Sequence, residues 1–141
     1  MEKPKNQLLV QILIFGIVFV IAFFGTRMLF FGSNADSELQ QVSDEMNKTM
    51  PILVDSETRL DKSSVSGDTL QYHYTLVNVT KENPSRDLTE AKAFMTSNAS
   101  KNLEQSAEMK LYREKSVPLQ YIYNDKNGKL LFDFTVRHTE K

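Results

Sequence analysis

Hydrophobic residues are distributed unevenly along this chain. Between Ile12 and Gly25 the sequence ILIFGIVFVIAFFG has no charged residue, and the apolar stretch extends from residue 8 to residue 31 with one charge, Arg27. About 20 apolar residues form a helix long enough to span a bilayer. We therefore predict a transmembrane helix over residues 8–31. The positions that we assign to this membrane span include Leu8, Ile12, Phe15, Val20 and Phe24.

The charges beside the apolar stretch predict its orientation. Lys3 and Lys5 precede it, whereas only Arg27 lies close to its other end. Basic flanks tend to stay in the cytoplasm, so the N-terminus is expected inside and the rest of the chain outside. The alternative is a signal peptide cleaved near Ser33-Asn34-Ala35. An uncleaved anchor is favoured, because the apolar region of a signal peptide is usually only about 7 to 15 residues long.

Beyond residue 35 the hydrophobic residues follow two shorter periods. Those between residues 39 and 50 recur at helical spacing and stop at Pro51, which predicts an amphipathic helix. Residues 70–76 alternate between apolar and polar types, which is the period of a half-buried strand. A turn before them predicts a β-hairpin in which residues 58–65 pair with residues 69–79.

In the second half of the chain, the sequence again predicts a helix followed by a hairpin. A second helix begins at the capping sequence Asp87-Leu88-Thr89-Glu90, and a second hairpin joins residues 119–123 to residues 130–136, with Gly128 at a positive φ. The order α-β-β-α-β-β predicts an α+β domain with one antiparallel sheet packed by helices on one face. Apolar residues expected to face this sheet from the second helix are Leu88, Ala91, Phe94, Met95 and Ala99. Leu103, Ala107 and Leu111 extend the row through either a bend or a second short helix. The apolar residues of the last strand are Leu130, Phe132, Phe134 and Val136.

These patterns divide the chain into four parts. Residues 1–7 are the predicted cytoplasmic N-terminus, residues 8–31 the transmembrane helix and residues 32–35 a linker. Residues 36–141 are enough for one compact domain with one core, and not for two.

The composition excludes several classes of function. The chain has no cysteine, which rules out disulfides, thiolate metal sites and cysteine nucleophiles. Beyond residue 35 it has 14 basic and 17 acidic residues in no cluster, so the basic face that nucleic-acid binding requires is missing. Neither a G-x-S-x-G nucleophile motif nor a glycine-rich phosphate loop occurs. We predict no catalytic residue, no cofactor and no metal site.

One polar surface remains as a candidate site. Arg59, Asp61, His73 and Asp133 fall on the polar side of the predicted strands. Such a group could perform acid–base chemistry if it lay in a cleft. A solvated sheet face explains the same residues equally well, and catalysis is the less favoured interpretation.

Two further motifs have a functional and a structural interpretation. The tyrosine pairs could stack on a ligand or a glycan, but we assign them to core packing with their hydroxyls at the rim. Asp125-x-Asn127-Gly128 is similar to the start of a calcium loop, yet its glycine is fourth instead of sixth, so we assign it to a turn. The tyrosine pairs are Tyr72 with Tyr74 and Tyr121 with Tyr123.

Three motifs resemble those of a group of uncharacterised bacterial exported domains. They are Pro51-x-x-Val54-Asp55-x-x-Thr58-Arg59-Leu60-Asp61, Tyr72-x-Tyr74-x-Leu76-Val77-Asn78 and Tyr121-x-Tyr123-x-Asp125-x-x-Gly128. The resemblance covers about residues 40–138 and implies a bacterial envelope location, but no activity. Many members carry one cysteine after the central helix and one after the last strand. Near those places this chain has Asn98 and His138, so that bridge is absent.

Three functions are compatible with these features. The first is a single-pass inner-membrane protein whose periplasmic or extracellular domain binds another envelope protein without catalysis. The second is a cleaved, exported inhibitor or immunity-like protein, and the third is a ligand-binding or enzymatic domain that uses the polar sheet face. The sequence favours the first, because it has a clear anchor and no catalytic set. Its partners would be the lipid bilayer, through residues 8–31, and an envelope protein, but no nucleic acid.

Overall fold

The computed structural model describes residues 35–84 and 87–140. The predicted membrane span over residues 8–31, the N-terminal segment before it and nearly all of the linker lie outside these residues. In the part of the chain that is described, no helix is long and apolar enough to cross a membrane.

The described residues form an α+β domain. The two longer helices and the two hairpins are where the sequence predicts them, a short helix follows the second long one as the sequence allows, and a two-residue strand and a 3₁₀ helix are additional. In chain order the elements are α1 (Ala35–Asn47), β1 (Ile52–Leu53), β2 (Thr58–Ser66), β3 (Thr69–Leu76), α2 (Leu88–Gln105), a 3₁₀ helix (Ala107–Met109), α3 (Lys110–Glu114), β4 (Leu119–Asn124) and β5 (Leu130–Val136).

The sheet is mixed, so the prediction of an antiparallel sheet is wrong in one place. Its strand order is β1-β2-β3-β4-β5, and β3 and β4 are parallel while the other neighbours are antiparallel. The cause is the helical connection: α2 and α3 carry the chain back to the end at which β3 began, so that Leu119 pairs with Leu70. Parallel neighbours need such a crossover, whereas a hairpin turn gives antiparallel ones.

Both longer helices contribute to one hydrophobic core on one face of the sheet. α1 packs on β2 and α2 packs on β5, which leaves the central strands β3 and β4 between them. Three predicted core positions are wrong: Phe94 is 41% exposed, Leu130 is 48% exposed, and Ala107, at the start of the 3₁₀ helix, is exposed as well. Phe94 lies on the outer side of α2, and Leu130 begins an edge strand.

Two rows of aromatic rings cross β3, β4 and β5 on the core face. Rings that are opposite each other in the strand register pack together, with centroid distances of 5.2 Å in a tilted pair and 5.0 Å in a stacked pair of one row, and of 4.8 and 4.9 Å in the stacked pairs of the other. Core packing of the tyrosines is therefore confirmed, but their hydroxyls do not lie at the rim, because all four residues are 0% exposed. The rows are Tyr72, Tyr121 and Phe134, and Tyr74, Tyr123 and Phe132.

Candidate functional site

The four predicted site residues lie on the sheet face opposite the helices. Arg59 and Asp61 belong to β2, His73 to β3 and Asp133 to β5, and all four are half-buried. His73 and Asp133 each lie between two buried aromatic residues of their own strand. Because successive side chains of a strand point to opposite faces, the core residues force these polar groups onto the other face.

Arg59 and Asp61 form one cluster with Thr75. Arg59 Nε donates to Asp61 Oδ1 at 2.5 Å, and Thr75 Oγ1 donates to Asp61 Oδ2 at 2.5 Å. A β-bulge adds Asp61 as an extra residue between Leu60 and Lys62. The side chains of Arg59 and Asp61 are 42% and 28% exposed. This is a partly solvated ion pair, and such pairs contribute at most about 1 kcal/mol to stability.

A second cluster of side chains, which we call the polar chain, crosses four strands. Ser64 Oγ donates to Gln71 Oε1 at 2.8 Å, Gln71 Nε2 donates to Gln120 Oε1 at 2.7 Å, and Gln120 Nε2 donates to Asp133 Oδ2 at 2.8 Å. His73 joins the chain through Nε2, which is 2.7 Å from Ser64 Oγ. The polar chain therefore contains two of the four predicted residues, and the cluster around Asp61 contains the other two.

The carboxylate of Asp133 fixes the direction of every hydrogen bond in the polar chain. An ionised carboxylate only accepts, so Gln120 presents its NH₂ group to Asp133 and its oxygen to Gln71. Gln71 is then oriented with its oxygen toward Ser64, which donates its only proton there. The Ser64 oxygen consequently accepts from the Nε2–H of His73.

This direction is the reverse of the one that a serine nucleophile requires. A catalytic base must accept the serine proton, whereas here His73 donates to Ser64. The pKa of His73 is lowered, first by burial and then by Lys62, with Asp61 opposing. The imidazole is therefore neutral at pH 7, and the hydrogen bonds of Asp61 go to Arg59 and Thr75. The arrangement satisfies polar groups on a sheet face and does not assemble a nucleophile–base pair.

Asp125 organises the turn between β4 and β5. Its carboxylate accepts backbone N–H groups of Lys81, Asn127 and Lys129 at 2.8–2.9 Å. Burial alone would raise the pKa of Asp125, but these three donors lower it overall. The assignment to a turn is confirmed, with Gly128 at φ +82°. Among the described residues, no group of three or more histidine or acidic side chains could hold a metal ion.

The core tyrosines do not offer acid–base chemistry. The hydroxyls of Tyr74, Tyr121 and Tyr123 are buried and have no hydrogen-bond partner in the described part of the chain. Burial raises the pKa of each well above its usual value, and it raises the pKa of Tyr112 to about 12. These phenols stay neutral at physiological pH.

Sequence reasoning missed Asn47, which caps one edge of the sheet. Its side-chain amide accepts the N–H of Ser63 at 2.7 Å and donates to the carbonyl of Ser63 at 2.9 Å. Asn47 thereby takes the place of a neighbouring strand where β1, which pairs only with Arg59 and Leu60, is too short to reach. The two residues are 16 positions apart, so no local pattern could have shown their contact.

The opposite edge is β5, which pairs only with β4 among the described residues. Beyond β5 the chain turns to α2, where Glu104 accepts the N–H of Thr139 at 2.9 Å and lies 2.8 Å from His138 Nδ1. This contact connects the central helix with the segment after the last strand. The resemblance implies a disulfide in this part of the fold in other members.

Residues 33–132 match the family model described as a domain of unknown function, DUF8479. The chain belongs to the DUF8479 family. The match begins before α1 and ends within β5, so it includes both longer helices and four of the five strands of this DUF8479 domain. No curated protein sequence matches the chain.

Two solved structures share the fold of the DUF8479 domain. One is EpsS, a pilotin of the type 2 secretion system of Vibrio vulnificus, with a TM-score of 0.56 and 11% identity over 72% of this chain and 86% of that chain. The other is a candidate secreted protein of Pseudomonas aeruginosa, with a TM-score of 0.57 and 16% identity over 77% of this chain and 95% of that chain. Together with the family match, they agree with the resemblance to uncharacterised bacterial exported domains.

Proposed function

We propose that this chain is a membrane-anchored domain of the bacterial envelope that works outside the cytoplasm by binding another envelope protein. The observation that carries the proposal is the fold that it shares with a pilotin, a component of a type 2 secretion system, over 86% of that protein. The second structural neighbour, a candidate secreted protein, supports a location outside the cytoplasm.

The polar sheet face supports a role without catalysis. Its side chains bind one another: Ser64 donates to Gln71, Gln120 donates to Asp133, and Asp61 accepts from Arg59 and Thr75. Catalytic sites instead keep an activated nucleophile or base with a matched pKa. The proposal therefore assigns function to a binding surface.

Anchoring is the second part of the proposal. The apolar residues 8–31 are long enough for a bilayer-spanning helix, and Lys3 and Lys5 favour a cytoplasmic N-terminus. The chain would then be a single-pass protein of the bacterial inner membrane with its domain on the far side. Cleavage near Ala35 would instead release an exported inhibitor or immunity-like protein. The sequence Ser33-Asn34-Ala35 supports that second candidate.

The test of binding is co-purification of the full chain from membranes of its native host. A tag after Lys141 and a short amine-reactive crosslinker would trap a complex before solubilisation. We expect one envelope protein in a fixed stoichiometry with the chain, and loss of that protein when untagged chain is added in excess. A chain that stays monomeric under these conditions would overturn the proposal.

The intact mass of the untagged chain, purified from its native host without crosslinker, tests anchoring. We expect the full 16.2 kDa chain in the membrane fraction. A soluble chain that lacks about the first 35 residues would contradict the anchor and support the released form, because signal peptides are removed at such sites.

A further inference from the structure

The two edges of the sheet differ in how they are protected. On one side β1 covers the first part of β2, and the amide of Asn47 pairs with the backbone of Ser63 further along. On the other side, β5 has seven residues and pairs only with β4 in the described part of the chain. Proteins usually protect such an edge, since its free N–H and C=O groups can pair with another chain.

Exposed apolar side chains accompany the open edge. Leu130 begins β5 and is 48% exposed, and Phe94 of α2, the helix that packs on β5, is 41% exposed. The strand itself contains no lysine or proline that would discourage pairing, and the one charge within it, Asp133, accepts a hydrogen bond from Gln120. An added strand would cover the free backbone groups of β5 and would begin or end beside Leu130.

Charge indicates what kind of segment would pair there. Lys129 and Arg137 flank β5, and Lys101 lies one turn before Glu104, the residue of α2 that contacts the chain just beyond β5. Lys129 contacts Glu82, whereas Arg137 and Lys101 are exposed. The exposed cations Arg137 and Lys101 attract an acidic segment. A second copy paired antiparallel about Asp133 would oppose two carboxylates and place Lys129 against Arg137, so this register is disfavoured.

We infer that the β5 edge binds one extended, acidic segment of the partner protein, which adds to the sheet as a sixth strand. Main-chain hydrogen bonds would supply affinity in this mode, and alternate side chains would supply specificity. This inference rests on the proposed function, since it names the surface through which the partner is recognised.

Site-specific photo-crosslinking in native membranes maps the contact. A photoreactive residue would replace Thr135 on β5, Leu53 on the opposite edge or Gln71 on the polar face, each in the full chain. We expect the partner adduct from position 135 alone. If the partner formed an adduct with position 53 or 71 and none with position 135, the inference would be overturned and the proposed function would still stand. An adduct between two copies of the chain would overturn it as well.

Two matched pairs of substitutions test the chemistry by co-purification. Leu130→Glu should reduce the recovered partner about tenfold, whereas Leu53→Glu, at a leucine of the other edge that is 68% exposed, should leave it unchanged. Thr135→Glu should weaken recovery and Thr135→Lys should not, because the bound segment is acidic. Equal effects within either pair would overturn the inference. Loss of partner from every variant and from the unaltered chain would instead count against the proposed function.

Discussion

At the scale of single residues, hydrogen-bond partners decide what the candidate site can do. Alternation along the strands correctly placed His73 and Asp133 on one sheet face. It could not show that Gln71 and Gln120, which are 49 positions apart, would connect them, because that contact depends on the parallel pairing of β3 with β4. The direction of donation follows from Asp133, and in this direction His73 does not act as a base toward Ser64.

Tyr74 provides a test of the buried hydroxyls. Its hydroxyl has no hydrogen-bond partner among the described residues. We expect Tyr74→Phe to leave the free energy of unfolding unchanged or to raise it by up to about 1 kcal/mol, because burying an unpaired hydroxyl costs free energy. Urea unfolding followed by circular dichroism measures the effect. Tyr74→Ala is the control, and its free energy of unfolding should be lower by about 3–5 kcal/mol because the substitution leaves a cavity in the core. A clear loss of stability in Tyr74→Phe would contradict this account of the core.

The lowered pKa of His73 predicts how the stability of the domain depends on pH. Its pKa is lowered in the folded chain, so below about pH 6.5, the ordinary pKa of histidine, the unfolded chain binds a proton that the folded chain does not. Stability should therefore fall as the pH decreases from about 6.5 to the lowered pKa of the folded state, and this contribution should be constant below it.

Urea midpoints at several pH values between 7.5 and 5 measure this contribution. His73→Gln keeps a donor toward Ser64 but cannot titrate, so it should show a shallower decrease. His138→Gln is the matched control at the other histidine. If His73→Gln and the unaltered chain had the same pH dependence, His73 would not have the lowered pKa that its surroundings indicate.

At the scale of elements, local periodicity accounts for most of what could be predicted. The two longer helices, both hairpins and the turn at Gly128 follow from spacing and capping residues in the sequence. The parallel pairing of β3 and β4 does not, because periodicity tells which face a residue occupies and not which strand lies beside it. β1 has only two residues, which is too short for any periodic pattern.

Asn47 tests how the edge of β2 is protected. Asn47→Ala removes both hydrogen bonds to the backbone of Ser63, a residue that is 2% exposed, and should cost about 1–3 kcal/mol of stability. Asn47→Asp keeps the acceptor and loses the donor, so its effect should be smaller. Hydrogen exchange at the Ser63 amide reports the contact directly: it should accelerate in Asn47→Ala. An unchanged exchange rate would show that Asn47 does not cap this edge.

At the scale of the whole molecule, the sequence bears more directly on the proposed anchor than on the partner. The apolar residues 8–31 and their flanking charges are local features. The proposed recognition surface is different, because the edge of β5 exists only once β5 has paired with β4 in the folded sheet. Family membership and the two structural neighbours supply the fold and leave the identity of the partner to experiment.

Orientation in the membrane can be tested with a reporter fused after Lys141. We expect activity from a reporter that works only outside the cytoplasm, because the proposed orientation places Lys3 and Lys5 in the cytoplasm. Replacing both by glutamate should increase the inverted fraction, whereas replacing Lys48 and Lys62, within the domain, should not. A cytoplasmic reporter signal from the unaltered chain would rule out this orientation.

The central claim is that this domain works by binding and not through its polar sheet face. The most direct measurement compares partner recovery from native membranes for the unaltered full chain and for a chain that carries Ser64→Ala and His73→Gln together. We predict equal recovery of the same envelope protein in the same stoichiometry, with unfolding curves confirming that both chains are folded. Loss of the partner from the folded double variant would contradict the claim and would show that the polar face contributes to function.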